Sequence, residues 1–143
     1  MLETELEIEE GMVPVRILLV DDDQRFAALV QAALEDDGYD VIGAVHSAAD
    51  ATPAVIDLRP DVVVLDLVLP DGDGMTVADE VRAEGSSVPV VLFSSLFNRK
   101  AAADAMDSGY GYVEKAAGVD GLEAAIDAAV GLPRPDDNDL DGG

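Results

Sequence analysis

The stretch Val62-Val-Val-Leu-Asp66-Leu-Val-Leu-Pro70-Asp71-Gly72-Asp73-Gly74 decides the fold of this chain. It joins a short run of Val and Leu to one aspartate, and then to a turn rich in Pro, Asp and Gly. Short β-branched runs bounded by such turn residues are typical of strands buried on both faces. The stretch therefore predicts a buried strand over 61–65 with an acid at its carboxyl end. A helix capped by Asp73 is expected after the turn.

Similar apolar runs lie on both sides of this stretch and alternate with helical patterns. The other four predicted strands cover 15–20, 39–45, 88–93 and 110–114. Three segments place apolar residues at helical spacing on one face; these faces are Phe26, Leu29, Val30, Ala33 and Leu34, then Ala51, Ala54, Val55 and Leu58, then Leu122, Ile126, Ala129 and Val130. Helix starts are expected at Asp23 and Ser47, and helix ends at Gly38, Gly109 and Gly131. Strands alternating with helices predict an α/β fold with a parallel sheet.

The composition suits one folded domain. The chain has 143 residues, 49% of them hydrophobic, which is enough to form a buried core. The segments 1–13 and 133–143 are acidic and poor in large apolar residues, so we expect disordered tails around a domain over 14–132. No apolar run is long enough to cross a bilayer, and there is no cysteine for a disulfide framework. We therefore expect a cytoplasmic protein without membrane insertion.

The strong negative charge also excludes a class of partner. The net charge is −23, from 31 acidic and 8 basic residues. Such a surface repels a phosphate backbone, so nucleic-acid binding is not expected. Most of the acids are expected to be solvated surface groups, and adaptation to high salt is an alternative interpretation.

Polar residues follow four of the predicted strands. They are Asp21, Asp22 and Asp23, then Asp66, then Ser94 and Ser95, and finally Lys115. The carboxyl ends of parallel strands meet at one edge of a sheet, which is where ligands bind in such folds. Carboxylates held close together repel each other unless a cation joins them, and Mg²⁺ with oxygen ligands meets that need. A carboxylate beside Mg²⁺ can attack a phosphoryl group, while a lysine and a hydroxyl stabilise the transferred oxygens.

Each of these residues alone has an ordinary structural explanation. Acids after a strand are often helix N-caps, and a pair of serines in a loop often serves a turn. A single lysine at a strand end is usually a solvated charge. The joint placement at four strand ends favours a functional site.

Four blocks of sequence in this order resemble the receiver domains of bacterial and archaeal response regulators. The blocks are Ile17-Leu-Leu-Val-Asp21-Asp22-Asp23, Val62 to Gly74, Pro89-Val-Val-Leu-Phe-Ser94-Ser95 and Gly111-Tyr112-Val-Glu-Lys115. The resemblance extends from about Val15 to Leu132. It implies a flavodoxin-like (βα)5 fold, doubly wound, with five parallel strands in the order 2-1-3-4-5.

The resemblance also implies roles for the strand-end residues. Asp66 would be the phosphoacceptor, and Lys115 and Ser94 would complete the catalytic set. Ser94 would also form a switch together with Tyr112.

The cofactor implied by the family is Mg²⁺. Asp22, Asp66 and the backbone carbonyl of Val68 would bind the ion directly, and Asp21 would bind it through water.

One departure from the family concerns the residue after Lys115. Many receivers have a proline there, preceded by a cis peptide bond, whereas this chain has Ala116. A cis bond before a residue other than proline costs about 2.5–4 kcal/mol, so we expect a trans bond and an altered loop. The segment 111–131 resembles receivers of the nitrate-response and LuxR-type regulators. Because no output domain follows in this sequence, we expect a stand-alone receiver.

The implied function is a switch in a two-component system, and not an enzyme with a substrate of its own. Asp66 would accept a phosphoryl group from a histidine kinase or a phosphotransfer protein. The face formed by the fourth helix, fifth strand and fifth helix would then control a protein partner or form a homodimer.

Two other functions are alternatives to this one. A phosphatase of the haloacid-dehalogenase type would use Asp21 as nucleophile and Asp23 as the second acid, but Gln24-Arg25 stand where that class has Gly-Thr. A pseudo-receiver that acts without phosphate is disfavoured by the intact set of site residues.

Two apolar residues predict a long-lived phosphorylated state. In receivers, the side chains two residues after the phosphoacceptor and two after the switch hydroxyl flank the path of the attacking water. Here they are Val68 and Leu96, and neither can orient a water molecule.

Overall fold

The computed structural model of the protein describes residues 13–95 and 98–131. The tails predicted at 1–13 and 133–143 lie outside these residues, apart from Val13, and so does Leu96. The main sheet contains β1 Arg16–Val20, β2 Asp40–Val45, β3 Val62–Leu65, β4 Val90–Ser94 and β5 Gly111–Glu114. The α-helices are α1 Gln24–Asp36, α2 Ala48–Leu58, α3 Gly74–Ala83, α4 Arg99–Ser108 and α5 Gly118–Val130.

All neighbouring strands of the main sheet are parallel, in the order β2-β1-β3-β4-β5. This confirms the doubly wound fold and the strand order 2-1-3-4-5. The five strands were predicted correctly, with bounds that differ by one or two residues at their ends. Because β1 lies between β2 and β3, the order of the strands reverses at β1 and β3, and ligands bind at such a point in α/β sheets.

The sheet is covered on both faces, as parallel sheets require. Along β1, Ile17 and Leu19 point to one face while Leu18 and Val20 point to the other. The first face packs against α1 and α5, and the second packs against α2, α3 and α4. Within the part of the chain that the structure describes, no helix has the length and apolar character needed to span a bilayer.

The predicted helix starts and ends are confirmed by their caps. The side chains of Asp23, Ser47 and Asp73 each accept a hydrogen bond from the backbone N–H three residues later. The helices α4 and α5 end at Gly109 and Gly131, whose positive φ of 86° and 79° suits glycine.

The predicted inner face of α1 was wrong at one position. Leu29 is 71% exposed, whereas the buried residues of this helix are Ala27, Val30 and Leu34. These three residues set the direction that faces the sheet, and at 3.6 residues per turn Leu29 lies more than a quarter turn away from it. The apolar spacing of the sequence does not determine which residues of α1 face the sheet, because Leu29 and Ala27 both fit an amphipathic pattern.

The loop after β5 has the trans bond expected before Ala116. All the described peptide bonds are trans, including the bond between Lys115 and Ala116. A short 3₁₀ helix, Lys115–Ala117, leads directly into α5.

Candidate functional site

Backbone hydrogen bonds of the sheet fix two acids at its carboxyl edge. Asp21 follows β1 and donates its N–H to the carbonyl of Val45 at 3.1 Å, and Asp66 follows β3 and donates its N–H to the carbonyl of Val20 at 2.8 Å. The two aspartates are therefore placed side by side by the strand pairing itself. Lys115 follows β5 at the same edge of the sheet.

Three carboxylates form a compact group at this edge. One carboxylate oxygen from each of Asp21, Asp22 and Asp66 lies within 4.8 Å of the others. Asp21 and Asp66 are buried, with 7% and 8% of their surface exposed, whereas Asp22 is exposed. Like charges this close repel each other, and burial of two of them reduces the screening by water.

The ammonium of Lys115 joins the two buried acids. Its Nζ donates to Oδ2 of Asp21 at 2.7 Å and to Oδ2 of Asp66 at 3.3 Å. The second oxygen of each acid accepts a backbone N–H, from Asp23 at 2.9 Å and from Val68 at 3.2 Å respectively. Both bonds to Asp66 are longer than the corresponding bonds to Asp21, so Asp66 is the less tightly held carboxylate.

Burial and charge shift the pKa values of this group. Burial raises the pKa of Asp66, and the charge of Asp21 adds to the rise, against the opposing effects of the Val68 N–H and of Lys115. Burial alone would lower the pKa of Lys115, but the hydrogen bond to Asp21 and the charges of Asp66 and Asp21 together outweigh it, so its pKa is raised. Lys115 therefore stays protonated beside two acids.

The loop after Asp66 is held from two sides. Val68–Leu69 pairs with Gly72–Asp73 in a small antiparallel ladder. The carboxylate of Asp71 accepts the backbone N–H groups of Ala48 and Ala49, at 2.7 and 3.0 Å, at the start of α2.

Gly74 closes the same loop against the phosphoacceptor candidate. Its N–H donates to the carbonyl of Leu67 at 2.8 Å. A Cβ at this position would lie 2.5 Å from the carbonyl oxygen of Asp66. Only glycine permits this close approach of the backbone.

The two predicted switch residues lie on the neighbouring strands. Ser94 is the last residue of β4 and is 3% exposed, so it lies buried at the carboxyl edge. Tyr112 lies on β5 and is half-buried, and its hydroxyl accepts the N–H of Asn98 at 3.3 Å. Tyr112 thereby contacts the N-cap residue of α4, which the sequence did not predict.

Three further residues near the site were missed by the sequence patterns. Phe26 and Phe93 lie beside the ammonium of Lys115, and Nδ1 of His46 lies 2.9 Å from the carbonyl oxygen of Asp21. No local pattern marks these contacts, because each joins residues that are distant in the chain. The capping role of Asp71 was also missed, since its segment reads as an ordinary turn.

The donor set fits a hard divalent cation. It offers three carboxylates within reach of one ion, with one exposed acid through which water can enter. Mg²⁺ prefers such oxygen ligands and keeps several of its waters. Val68, two residues after Asp66, is 68% exposed.

Comparisons with known sequences identify relatives of this chain. The family model described as the response regulator receiver domain matches residues 17–127. The chain is 38% identical over 112 residues to a protein-glutamate methylesterase/protein-glutamine glutaminase of a Nocardioides species, covering 76% of this chain and 31% of that protein. It is 31% identical over 126 residues to the response regulator MprA of Mycolicibacterium vanbaalenii, covering 87% and 54%. The chain thus spans between about a third and about half of the length of these relatives.

Solved structures of the same kind are similar in fold. A two-component response regulator of the LuxR family from an Aurantimonas species has a TM-score of 0.79 and 28% identity, covering 89% of this chain and 94% of that one. The signal receiver domain of the putative response regulator NarL from Mycobacterium tuberculosis has a TM-score of 0.75 and 29% identity, covering 82% and 98%. The predicted similarity to receivers of the nitrate-response and LuxR-type regulators is confirmed.

Proposed function

The chain belongs to the response regulator receiver domain family, and from this membership we propose that it is a phosphorylation-dependent switch with Asp66 as the phosphoacceptor. The donor would be a histidine kinase or a phosphotransfer protein. The observation that carries the choice of Asp66 is the difference between the two buried acids. Asp21 is bound tightly by Lys115 and by the N–H of Asp23, while Asp66 makes two longer bonds at 3.2 and 3.3 Å.

The chemistry of the transfer follows from these contacts. A carboxylate oxygen of Asp66 attacks the phosphorus of phosphohistidine, and an O–P bond forms. The P–N bond to the imidazole breaks and its electron pair stays on the nitrogen. Lys115, already 3.3 Å from Asp66, lies within reach of the transferred oxygens and stabilises their charge.

The same geometry supports a Mg²⁺ site. Asp22, Asp66 and the backbone carbonyl of Val68 would bind the ion directly, and Asp21 would bind it through water. When bound, Mg²⁺ supplies positive charge that offsets both the carboxylates and the phosphoryl oxygens. Asp21 is suited to the indirect role because its oxygens accept shorter hydrogen bonds, at 2.9 and 2.7 Å, than those of Asp66 at 3.2 and 3.3 Å.

The protein would act as a regulatory phosphoacceptor, without a substrate beyond the phosphoryl group that it gains and loses. The methylesterase named among its relatives is a longer protein, of which this chain covers 31%. That activity therefore belongs to the relative.

Two alternative functions fit the contacts less well. A phosphatase with Asp21 as nucleophile would need that carboxylate free to attack, yet both its oxygens are engaged at 2.7 and 2.9 Å. Its second acid, Asp23, caps α1 through the N–H of Phe26. A pseudo-receiver would not need the buried acid pair and Lys115 that this chain keeps.

The output of the switch is proposed to be the face formed by α4, β5 and α5. Tyr112 lies there, and its hydroxyl accepts the N–H of Asn98 at the start of α4 at 3.3 Å. Met106 of α4 is 75% exposed, beside a groove that Tyr112 and Ala116 help to line. Movement of Ser94 toward a phosphoryl group would let Tyr112 turn inward, which would change this face for a protein partner or a second copy.

The test of the phosphosite is labelling with phosphoramidate or acetyl phosphate and Mg²⁺, followed by mass spectrometry of the modified peptide. The wild-type protein is expected to carry phosphate on Asp66, and Asp66→Asn to carry none. Asp57→Asn, which removes an exposed acid of α2, is the matched control and should label normally. Labelling of Asp66→Ala at the wild-type rate, or phosphate on Asp21, would contradict the proposal.

The output face is tested by amide hydrogen exchange with and without beryllofluoride, which mimics a phosphoryl group. We expect changes in protection at Ser94 and in 98–106 and 109–115. Changes confined to 47–58, on the other side of the site, would refute the assignment of the face.

A further inference from the structure

Two aromatic rings lie beside the ammonium group of Lys115. Its Nζ is 4.5 Å from the centroid of the Phe26 ring and 6.0 Å from that of the Phe93 ring. The two ring centroids are 5.9 Å apart, with an angle of 35° between the planes. The ammonium is therefore bounded by carboxylates on one side and by aromatic rings on another.

Both rings are fixed by elements that do not depend on Lys115. Phe26 lies in the first turn of α1, and its N–H is the one that the Asp23 cap accepts at 3.0 Å. Phe93 lies on β4 and is 3% exposed, directly before Ser94. Phe93 belongs to the hydrophobic cluster that packs α1 and α5 on the sheet, and the partly buried Phe26 packs against that cluster. The two rings thus form an apolar surface beside the flexible side chain of Lys115.

The negative charge of this protein makes the position of the Lys115 ammonium harder to fix. The lysine side chain ends in a compact charge on a four-carbon stem that can reach many positions. In a chain with 31 acidic residues, the group of Asp21, Asp22 and Asp66 offers that charge more than one partner. The face of an aromatic ring attracts an ammonium within about 6 Å and does so from one direction. Phe26 therefore restricts where the ammonium lies, which carboxylates alone would not do.

We propose that Phe26, supported by Phe93, is a positioning residue that holds the Lys115 ammonium over the Asp21–Asp66 pair for phosphoryl transfer. The inference rests on the proposed function, because the transfer is what the ammonium is positioned for. Phe26 acts through Lys115 and touches neither the phosphoryl group nor the ion. Its loss should slow the transfer and leave the binding of Mg²⁺ unchanged.

The first experiment compares Phe26→Leu, which removes the ring and keeps an apolar side chain, with Phe26→Tyr, which keeps the ring. The readout is the rate of Asp66 labelling over a range of phosphoramidate and Mg²⁺ concentrations. In this reaction the carboxylate of Asp66 displaces ammonia as the P–N bond breaks. Leu29→Ala, on an exposed site of the same helix, is the matched control.

We expect Phe26→Leu to lower the maximal labelling rate about tenfold, which corresponds to about 1.4 kcal/mol of barrier. The concentrations of Mg²⁺ and phosphoramidate that give half the maximal rate should change less than about twofold. Phe26→Tyr should recover the wild-type rate to within about twofold, and Leu29→Ala should equal the wild type.

The second experiment reads the position of the ammonium directly by NMR. The chain has only two lysines, Lys100 and Lys115, and the side chain of Lys100 is 84% exposed. The ε-methylene protons of Lys115 should therefore show an upfield ring-current shift relative to those of Lys100. The shift should disappear in Phe26→Leu and persist in Phe26→Tyr.

Three results would overturn the inference: a wild-type rate in folded Phe26→Leu, an equal loss of rate in Phe26→Tyr, or a slow Phe26→Leu whose Lys115 shift is unchanged. If Phe26→Leu does not fold, Phe26→Met replaces it, since Met fills the space without a ring. Failure of the proposed function looks different, because the wild-type protein itself would then carry no phosphate on Asp66.

Discussion

Replacement of Asp22 by Asn should raise the free energy of unfolding without Mg²⁺. With Mg²⁺ the variant should instead be less stable than the wild-type protein. Asp22, Asp21 and Asp66 have oxygens within 4.8 Å of one another. At that distance two like charges repel by about 1 kcal/mol in water and about 3.5 kcal/mol at an effective dielectric constant of 20. Asp22 is exposed, so the value in water applies to each of its two repulsions, and attraction to Lys115 offsets part of them. Asp22→Asn should therefore gain about 1 kcal/mol of unfolding free energy without Mg²⁺.

With Mg²⁺ the order of the two proteins should invert. At a hundredfold excess over Kd, the ion stabilises the wild-type protein by about 2.7 kcal/mol. If removal of one direct ligand weakens binding a hundredfold, the same concentration stabilises Asp22→Asn by only about 0.4 kcal/mol. The wild-type protein should then be the more stable one by about 1.3 kcal/mol, which corresponds to a difference of about 5 °C in melting temperature.

The assay is thermal unfolding at a series of MgCl₂ concentrations, matched in ionic strength with NaCl, because salt alone screens a net charge of −23. Asp23→Asn is the control, since it removes a neighbouring charge while Asn still caps α1. Its response to Mg²⁺ should equal that of the wild type. Parallel Mg²⁺ curves for the wild type and Asp22→Asn would refute the assignment of Asp22 as a ligand.

Three further outcomes are expected. Burial and a hydrogen bond with Asp37 raise the pKa of Glu123 from 4.5 to about 7. The free energy of unfolding should therefore fall as the pH rises from 4.5 to about 7. The melting temperature of Glu123→Gln should be about 3 °C above that of the wild type at pH 8 and equal to it at pH 5. Gly74→Ala would place a Cβ 2.5 Å from the Asp66 carbonyl oxygen and should lose about 1–3 kcal/mol in urea unfolding, where an unchanged midpoint would contradict the contact. Val68→Asn, at a side chain 68% exposed beside the site, should speed loss of phosphate from Asp66 about tenfold in a decay assay, and equal decay would exclude Val68 as a barrier to water.

The strand-end residues could be predicted from the sequence because parallel pairing determines their position. Once β1, β3 and β5 are recognised as buried strands, the residue after each one must lie at the same edge. Asp21, Asp66 and Lys115 are found there within hydrogen-bonding distance. The helix caps were predictable for a similar reason, since each cap depends on residues only three positions apart.

The contacts made by helices could not be predicted in this way. The apolar residues of α1 allow more than one phase, and the choice depends on packing against β1 and α5, which is why Leu29 was wrongly placed inside. The same ambiguity concealed Phe26, whose ring lies against a lysine far along the chain. Only the packed structure shows which side of the first turn faces the site.

Lys115 contacts both the acids at the strand ends and the ring of Phe26 on α1. These two kinds of contact would act differently on the ammonium during the proposed transfer. In this structure Lys115 is bound more closely to Asp21, at 2.7 Å, than to Asp66, at 3.3 Å. In the proposed transfer, negative oxygens would be added on the side of Asp66, so the ammonium would have to shift its hydrogen bonds toward them while Asp21 continued to attract it. The Phe26 ring attracts the ammonium whichever carboxylate it bonds, and so keeps it beside both acids. A lysine bound only by two acids at strand ends would keep the stronger hydrogen bond. A lysine that also contacts an aromatic ring can change its hydrogen-bond acceptor from one oxygen to another without leaving the site.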